Sequence, residues 1–345
     1  MTVRAAFEMQ SVACAALGSP FTARLMSLCG ARLAPGTAVA DRVLDWPGDP
    51  SLHADNAPLR LAGALHALKL QGLALEAVYP PADVPDEMLW QAVEAALAEH
   101  EARILAWLES PPQTNEVRRS AAILPALAVV EARFGRPVAL LELGASGGLN
   151  LRADRFRVEL PGGGLGPNGA GVRLQPEWRG PMPPLSLPEV RVRAGVDLTP
   201  LDPSRAENRL RLLAYLWADQ TDRIARTETA IAVAAQVPAR LDAGDAGAWL
   251  EAELARPAEG LGRVVFHTIA WQYFPPATRA RAEAALARAG AEAAAETPLA
   301  RIALETDGRG SGEGARLSLT LWPDGGTVEL GRADFHGRWV AWRGV

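Results

Sequence analysis

Residues 138–150 read VALLELGASGGLN, and this stretch decides the fold. It begins with an apolar run from Val138 to Leu143 and continues into a loop with glycines at 144, 147 and 148. A short apolar run that leads into glycine is typical of a strand buried on both faces of a parallel sheet. Glycines permit a sharp turn and let a ligand approach the N–H groups at the start of a helix. The stretch therefore predicts a ligand-binding turn after a central strand.

Further runs with strand character follow, and helical patterns separate most of them. The runs are 190–196, 264–266, 301–305, 317–321 and 339–342. The helical patterns cover 205–236, as one or two helices, and 277–289. This alternation favours a parallel, doubly wound sheet, and the closing strands predict an antiparallel edge. Residues 137–345 are therefore predicted to form a Rossmann-like α/β domain.

Residues 1–136 are predicted to form an N-terminal α-helical domain. Residues 59–71 place Leu61, Leu65 and Leu68 on one helix face. An apolar stripe at helical spacing covers 86–109, and a third helix runs from about 115 to 135, bent or divided at Pro125.

One segment does not fit a minimal α/β domain. Residues 161–188 are crowded with Gly and Pro, which predicts a long surface loop or insertion. If the insertion folds over the pocket, it is a lid. If it packs elsewhere, Asp197 is in doubt as a ligand contact.

Composition limits the classes of function. The chain has 345 residues, of which 49% are hydrophobic and 22% charged, as expected for a folded protein. Its net charge is −5 and it has no long Lys/Arg block, which argues against a nucleic-acid partner. Its two cysteines form no CxxC pair, and no His/Asp/Glu cluster has metal-binding spacing. Glu8 and Gln10 interrupt the apolar N-terminus, so we expect a cytoplasmic protein without a membrane partner.

The glycine loop resembles the first motif of class I S-adenosylmethionine-dependent methyltransferases. That motif has an acidic residue two positions before a glycine loop, here Glu142 and Gly144, and Gly148 matches a later glycine. Ser146 replaces the middle glycine of the usual pattern. A dinucleotide reading from Gly144 would put Ser146 and Leu149 where glycines are expected, which disfavours NAD or FAD. The alternative is a tight turn without a ligand.

Three later segments occur in the order that this resemblance requires. Asp197 ends the second strand, where the family places a carboxylate on the ribose hydroxyls, and Asp245 matches the third-strand acid that accepts from the adenine amino group. Either aspartate could instead cap a helix or start a turn. The cofactor-binding residues implied by the resemblance are Glu142, Gly144, Ala145, Ser146, Gly148, Asn150, Asp197, Leu198, Asp245 and Ala246.

The segment after the predicted fourth strand resembles the part of these enzymes that lines the methyl-transfer pocket. His267 is at the strand end and could act as a general base, because the ordinary pKa of an imidazole is near neutrality. The alternative is a satisfied, buried histidine beside packed aromatic rings. Substrate-pocket candidates are Trp271, Tyr273, Asn115 and Arg119, of which Asn115 could instead cap a helix and Arg119 form a surface pair. No Asn-Pro-Pro-Tyr sequence follows, which disfavours amino methylation of DNA bases.

The whole chain also resembles an uncharacterised bacterial family known only as a domain of unknown function. The strings that carry this resemblance are 58–66, 114–117, ELGASGGLNL with 154–156, and 271–273. Together the resemblances imply an S-adenosylmethionine-dependent methyltransferase acting on a small-molecule acceptor. The alternative is a non-catalytic scaffold or nucleotide sensor with the same fold.

Overall fold

The computed structural model describes residues 1–258 and 260–344. The chain divides into two compact units, each built from two segments. The helical unit comprises residues 1–114 and 205–228, and the sheet unit comprises residues 115–204 and 229–345.

The helical unit is built from helices packed around an apolar core. The helices of residues 1–114 are α1 (Val3–Ala16), α2 (Pro20–Arg32), α3 (Ala38–Leu44), α4 (Ala57–Leu70), α5 (Asp86–Glu99) and α6 (Glu101–Leu108). Residues 205–228 add α8 (Ala206–Ala214) and the first half of α9 (Thr221–Gln236). The core includes Phe7, Leu25, Leu61, Leu65, Leu89 and Ile104, each at most 2% exposed. A fully apolar centre of this size supplies most of the stability of such a helical unit.

Two helical predictions need refinement. The pattern over 86–109 forms two helices, since α5 ends at Glu99 and α6 begins at Glu101. The helix predicted over 59–71 is α4, and its Leu61, Leu65 and Leu68 are buried as part of a helix that is buried almost all round from Arg60 to Leu68.

The sheet unit contains twelve strands among its described residues. They are β1 (Val138–Leu143), β2 (Arg157–Leu160), β3 (Gly163–Leu165), β4 (Arg173–Leu174), β5 (Glu177–Arg179), β6 (Val190–Asp197), β7 (Arg240–Ala243), β8 (Gly262–Thr268), β9 (Leu299–Glu305), β10 (Ala315–Trp322), β11 (Gly326–Ala333) and β12 (Trp339–Trp342). Its helices are α7 (Ser120–Phe134), α10 (Ala246–Leu254), α11 (Pro276–Ala291) and the second half of α9, with 3-10 segments Val117–Arg119, Leu149–Arg155, Trp271–Tyr273 and Ser311–Glu313. The third predicted helix is therefore a 3-10 turn followed by α7, which continues through Pro125.

Nine strands form one mixed sheet in the order β5-β12-β11-β10-β9-β8-β1-β6-β7. The five strands β7-β6-β1-β8-β9 are parallel, whereas β9, β10, β11 and β12 pair antiparallel. The predicted α/β architecture with an antiparallel edge is confirmed, and β11 was not predicted. Numbered along the chain, the parallel strands run 3-2-1-4-5, the order of a doubly wound sheet, and the order reverses between β1 and β8. Ligands bind beyond the carboxyl ends of parallel strands at such a reversal. We call that end the carboxyl edge.

The Gly/Pro-rich insertion is structured. Part of it forms a small sheet in the order β3-β2-β4, and β5 joins the large sheet beside β12. Because β5 runs opposite to β1, it ends at the amino edge, where β6 begins. Residues 180–189 therefore run along the amino edge, and Glu189 accepts a hydrogen bond there from Val138 N. This strap is at the opposite edge of the sheet from the glycine loop and cannot be a lid over it.

Among residues 1–258 and 260–344, no helix combines the length and apolarity needed to cross a bilayer.

Candidate functional site

The loop after β1 has an unusual backbone. Gly144 and Gly148 have φ of 72° and 60°, which glycine adopts without strain. Ser146 has φ of 51°, which is uncommon for a residue with a side chain. A Cβ at Gly144 would lie 2.6 Å from Cβ of Ala270, so glycine is also needed for packing against the segment after β8.

Five N–H groups of this loop are already bonded within the sheet unit, those of Gly144, Ala145, Ser146, Gly148 and Leu149. Gly144 N and Ala145 N both donate to Val196 O at 2.9 Å. Ser146 N donates to Oδ2 of Asp197 at 2.9 Å, and Leu149 N donates to Oδ1 of Asn115 at 2.7 Å. The helix that begins after the loop is the 3-10 segment Leu149–Arg155. The loop therefore lacks the features of a phosphate cradle, in which such N–H groups point at the ligand.

Asp197 does reach the glycine loop despite the long insertion. Besides the bond from Ser146 N, its Oδ1 accepts from Thr199 N at 3.0 Å. The close approach of β6 to the loop needs glycine at 195, where a Cβ would lie 2.7 Å from Cβ of Ala145. Asp197 thus starts a turn, as the alternative interpretation predicts. The same carboxylate also holds the glycine loop through the bond from Ser146 N.

Two buried polar atoms at the end of β1 have no hydrogen-bond partner. They are Oε2 of Glu142 and the hydroxyl of Ser146, in residues that are 2% and 3% exposed. Burial raises the pKa of the Glu142 carboxyl well above its usual value; the charges of Arg152 and Arg119 oppose the shift, and that of Asp197 adds to it. Unpartnered buried polar groups are rare and costly, and they mark places where a ligand or water can bind.

Asp245 is exposed and caps α10. Its Oδ1 accepts from Ala248 N at 2.9 Å, and its Oδ2 accepts from the hydroxyl of Thr278. These bonds, that from Thr278 first, lower the pKa of its carboxyl. Ala246 is buried at the start of the helix, whereas Leu198 is 77% exposed after β6. The capping alternative for Asp245 is confirmed.

Asn115 and Asn150 connect the glycine loop to the segment that precedes α7. Both are buried, and Asn115 caps the 3-10 segment Leu149–Arg155 through the bond from Leu149 N. Asn150 accepts from the hydroxyl of Ser120 at 2.8 Å and donates to Glu116 O at 3.2 Å. These contacts give both asparagines a positioning role for the loop. Asn115 thus caps a 3-10 helix that is distant in sequence, whereas Glu116 caps the one that follows directly.

Arg119 reaches the end of β8. Its guanidinium donates to Thr268 O at 3.1 Å and to Phe335 O at 2.9 Å, so these contacts are with backbone carbonyls and not with a surface acid. Arg119 thereby connects the start of α7 to the segment that follows β8.

His267 is the centre of a buried polar cluster at the end of β8. Because Nε of Arg301 can only donate, Nε2 of His267 accepts from it at 3.0 Å. Nδ1 then carries the proton and donates to Oε1 of Glu305 at 2.7 Å. Burial lowers the pKa of the imidazole, and the bond to Glu305 opposes the shift. Arg301 therefore engages the lone pair that a general base would use. This arrangement matches the alternative in which His267 is a buried histidine with both ring nitrogens hydrogen-bonded.

The cluster fixes the backbone after β8. Oε1 of Glu305 also accepts from Ala270 N at 3.1 Å and from Trp271 N at 3.2 Å. The Trp271 ring stacks on His267, with centroids 4.8 Å apart, and the Arg301 guanidinium lies 4.4 Å from its centroid. Ile269, just before this segment, has φ of 50°, which is strained for a β-branched residue. Tyr273 is 74% exposed.

Strained backbone therefore flanks the point where strand order reverses. In the described part of the sheet unit, the only residues other than glycine with positive φ are Ser146 after β1 and Ile269 after β8. Strain of this kind costs of order 1–3 kcal/mol per residue and clusters at functional sites.

Two members of the cluster, Glu305 and Arg301, were not predicted as site residues from the sequence, although Glu305 is the last residue of a predicted strand. The rule used for Glu142 and Asp197, an acid at the carboxyl end of a parallel strand, would have found Glu305. No comparable signal marks Arg301, because its role depends on pairing between β8 and β9.

In the described ranges 1–258 and 260–344, no group of three or more His, Cys, Asp or Glu side chains could hold a metal ion.

Comparison with known proteins gives a family and no activity. The family model described as "Uncharacterized protein conserved in bacteria (DUF2332)" matches residues 4–342. No curated protein and no solved structure matches the chain.

Proposed function

The chain belongs to the DUF2332 family, whose description assigns no reaction, and we propose from its site that it is an S-adenosylmethionine-dependent methyltransferase acting on a small-molecule acceptor. The observation that carries the proposal is the pair of unpartnered buried oxygens, Oε2 of Glu142 and the Ser146 hydroxyl, at the carboxyl edge where strand order reverses. A ligand with N–H or O–H donors would satisfy both.

The acids along this edge suit such a ligand. Glu142, Asp197 and Asp245 lie at or just beyond the carboxyl ends of three adjacent parallel strands, which are about 4.8 Å apart. In the strand register Asp197 lies two positions, and Asp245 four positions, further along than Glu142. Carboxylates accept from an ammonium group, from ribose hydroxyls and from an adenine amino group in that order. S-adenosylmethionine has those three donors and no phosphate, which agrees with a loop whose N–H groups are bonded to Asp197 and Asn115.

In this proposal Glu142, Ser146, Asp197 and Asp245 hold the cofactor. A carboxylate can accept about four hydrogen bonds, so the backbone bonds of Asp197 are compatible with further bonds from a ribose. The sulfonium of the bound cofactor supplies an activated methyl group, so the protein mainly orients the acceptor. Trp271 and Tyr273 would contact the acceptor, and His267 with Glu305 would hold that segment in place. His267 is thus proposed as a positioning residue and not as the base.

A non-catalytic sensor is the second candidate, and the hydrogen bonds of His267 favour it. With both ring nitrogens engaged by Glu305 and Arg301, the His267 imidazole has no lone pair available to remove a proton from an acceptor. A sensor would bind the same nucleoside without turnover.

Isothermal titration calorimetry with S-adenosylmethionine and S-adenosylhomocysteine tests the proposal. We expect both to bind, NADH not to bind, and Glu142→Gln to weaken both titrations by roughly tenfold or more, because an amide is a poorer partner for a cationic donor. Gly163→Ala is a matched control, since a Cβ there meets no atom within 4 Å. Absence of heat with either ligand at millimolar concentration would overturn the proposal.

Turnover separates the two candidates. The protein is incubated with S-adenosylmethionine carrying a labelled methyl group and a small-metabolite extract, and S-adenosylhomocysteine is quantified. Its formation above that with heat-denatured protein supports the enzyme. Binding without formation supports the sensor.

A further inference from the structure

The segment after β8 packs directly against the glycine loop. A Cβ at Gly144 would lie 2.6 Å from Cβ of Ala270 and 3.7 Å from the Phe274 ring. The segment starts at Ile269, whose φ of 50° is strained, and continues through the 3-10 turn Trp271–Tyr273. We call residues 269–274 the cover segment, because moving them would uncover Gly144.

His267 and Arg301 form a hydrogen-bonded layer under the Trp271 ring. The imidazole centroid lies 4.8 Å from the centroid of the Trp271 ring, and the guanidinium carbon of Arg301 lies 4.4 Å from it. Groups at those distances on opposite faces of the ring would be about 9 Å apart, whereas Nε of Arg301 donates to Nε2 of His267 at 3.0 Å. Both groups therefore lie on one face of the indole, which covers them, and His267 is 1% exposed.

This layer depends on a neutral imidazole. Nε2 of His267 can accept from Arg301 only while it carries no proton, because a guanidinium has donors alone. A proton on Nε2 would place two positively charged donors 3.0 Å apart in a buried site. The bond that holds Arg301 beside the imidazole would then be lost. Nη1 of Arg301 would keep its bond to Glu283 at 2.7 Å, and that side chain is 54% exposed and lies toward solvent.

The charged groups that act on His267 come mainly from β9 and α11. Arg301 and Glu305 belong to β9, and Glu283 belongs to α11. Burial is the largest influence and lowers the pKa of the imidazole; Arg301 also lowers it, whereas Glu305 and Glu283 oppose the shift. Arg119 also reaches this strand end, where it bonds a backbone carbonyl. The covered imidazole thus takes up a proton less readily than an imidazole in water, so proton uptake favours an uncovered state.

Uncovering the imidazole requires the cover segment to lift. The indole lies over the imidazole, and the Trp271 N–H donates to Oε1 of Glu305 at 3.2 Å, the longest of three bonds to that oxygen. Lifting Trp271 breaks this bond and lets Ile269 leave its strained φ. Proton uptake and lifting of the segment are therefore linked, since each is easier once the other has occurred.

We propose that the cover segment is a proton-operated gate over the glycine loop. Uptake of one proton by Nε2 of His267 separates Arg301 from the imidazole, releases Trp271 and uncovers Gly144. Only hydrogen bonds and stacking change. The gate is a property of the ligand-free chain, so it operates whether or not the protein binds S-adenosylmethionine.

Native-state hydrogen exchange of the full chain between pH 8 and 5 measures the gate. The protection factor of the Trp271 amide should stay level down to about pH 6.5, the ordinary pKa of an uncovered imidazole, and then fall by up to about tenfold per pH unit. His267→Gln is the matched variant, because its amide can donate to Glu305 and accept from Arg301 without titrating. In this variant the protection of Trp271 should stay level throughout.

Three outcomes would overturn the proposal. They are a level protection factor of Trp271 down to pH 5, the same fall in His267→Gln, and protection of Trp271 equal to that of Leu141 in the centre of the sheet. Equal protection would mean that Trp271 exchanges only when the whole unit unfolds.

If His267→Gln does not fold, Arg301→Gln decides the question. Removing the guanidinium charge should raise the pH at which the His267 ring titrates, which the ¹⁵N resonances of the ring report. A titration midpoint that stays the same or falls would refute the role of Arg301 in the gate.

Discussion

Replacing Glu305 tests whether one carboxylate oxygen organises the segment after β8. Oε1 accepts from the His267 ring and from the amides of Ala270 and Trp271, at 2.7, 3.1 and 3.2 Å. Glu305→Ala removes all three acceptor contacts. Glu305→Gln keeps a carbonyl oxygen of the same reach and places an amide where Oε2 has no partner.

The magnitude follows from the donors left behind. Each buried donor without a partner costs about 1–3 kcal/mol. The Glu305 side chain is 14% exposed, so water can reach part of the vacated space and the lower half of the range applies. We expect Glu305→Ala to lower the free energy of unfolding by about 3–5 kcal/mol, and Glu305→Gln by about 1–2 kcal/mol through loss of charge.

Native-state hydrogen exchange is the suitable assay, because a chain with two units need not unfold in one step. The amides of Ala270 and Trp271 should exchange at least a hundredfold faster in Glu305→Ala and about tenfold faster in Glu305→Gln, as 1.4 kcal/mol corresponds to tenfold. The Leu65 amide, in the helical unit, provides the internal reference. If both variants exchange equally, or if neither amide changes, the reasoning about Oε1 is wrong.

Three further predictions concern other residues. The pKa of His66 is about 4 in the folded chain and 6.5 in the unfolded chain. As pH falls, the unfolded chain therefore binds this proton first, and the free energy of unfolding should fall by about 3 kcal/mol between pH 6.5 and 4. Urea titrations should give a flatter pH profile for His66→Gln than for the unmodified chain. Because burial raises the pKa of the Glu142 carboxyl, the ligand-free protein loses stability as pH rises above 4.5. Glu142→Gln should therefore raise the Tm at pH 7 to 8, and a lower Tm there would contradict the raised pKa. Gly195→Ala should cost about 1–3 kcal/mol by overpacking against Ala145, whereas Gly163→Ala should leave the Tm within a degree or two.

The strand pattern of the sheet unit could be predicted because its signal is local. The apolar run at 138–143 corresponds to β1, because a strand buried on both faces needs continuous apolar side chains. The run at 190–196 corresponds to β6 within one residue, although its second and third residues are exposed. β11 lacked that signal because its sequence, GTVELGRA, interrupts the apolar residues with Gly and charged residues, and its first two residues are exposed.

The helical boundaries were less predictable. The 86–109 pattern keeps its period across His100, although the backbone leaves the helix there between α5 and α6. The return of residues 205–228 to the helical unit also has no sequence signature, because it depends on contacts between segments far apart in the chain.

The candidate site divides in the same way. The glycines of the loop and the acids at strand ends are visible in the sequence, because residue type and position along a strand are enough to select them. The partner of each polar atom is not visible. The sequence could not show whether His267 is a general base or a buried histidine with both ring nitrogens hydrogen-bonded. Its hydrogen-bond partners, Arg301 and Glu305, come from the neighbouring strand β9.

The amino-acid sequence by itself thus determined the α/β class of the sheet unit, the turn after β1 and the acids that follow its strands. Periodicity and backbone freedom are properties of neighbouring residues and need no tertiary contact. Only the tertiary structure decided that the 180–189 strap lies at the amino edge, that Asp197 and Asn115 occupy the N–H groups of the loop, and that Glu142, Ser146, His66 and Tyr79 keep unpartnered atoms. Hydrogen-bond satisfaction is a property of groups brought together from distant parts of the chain, so it exists only once the chain has folded.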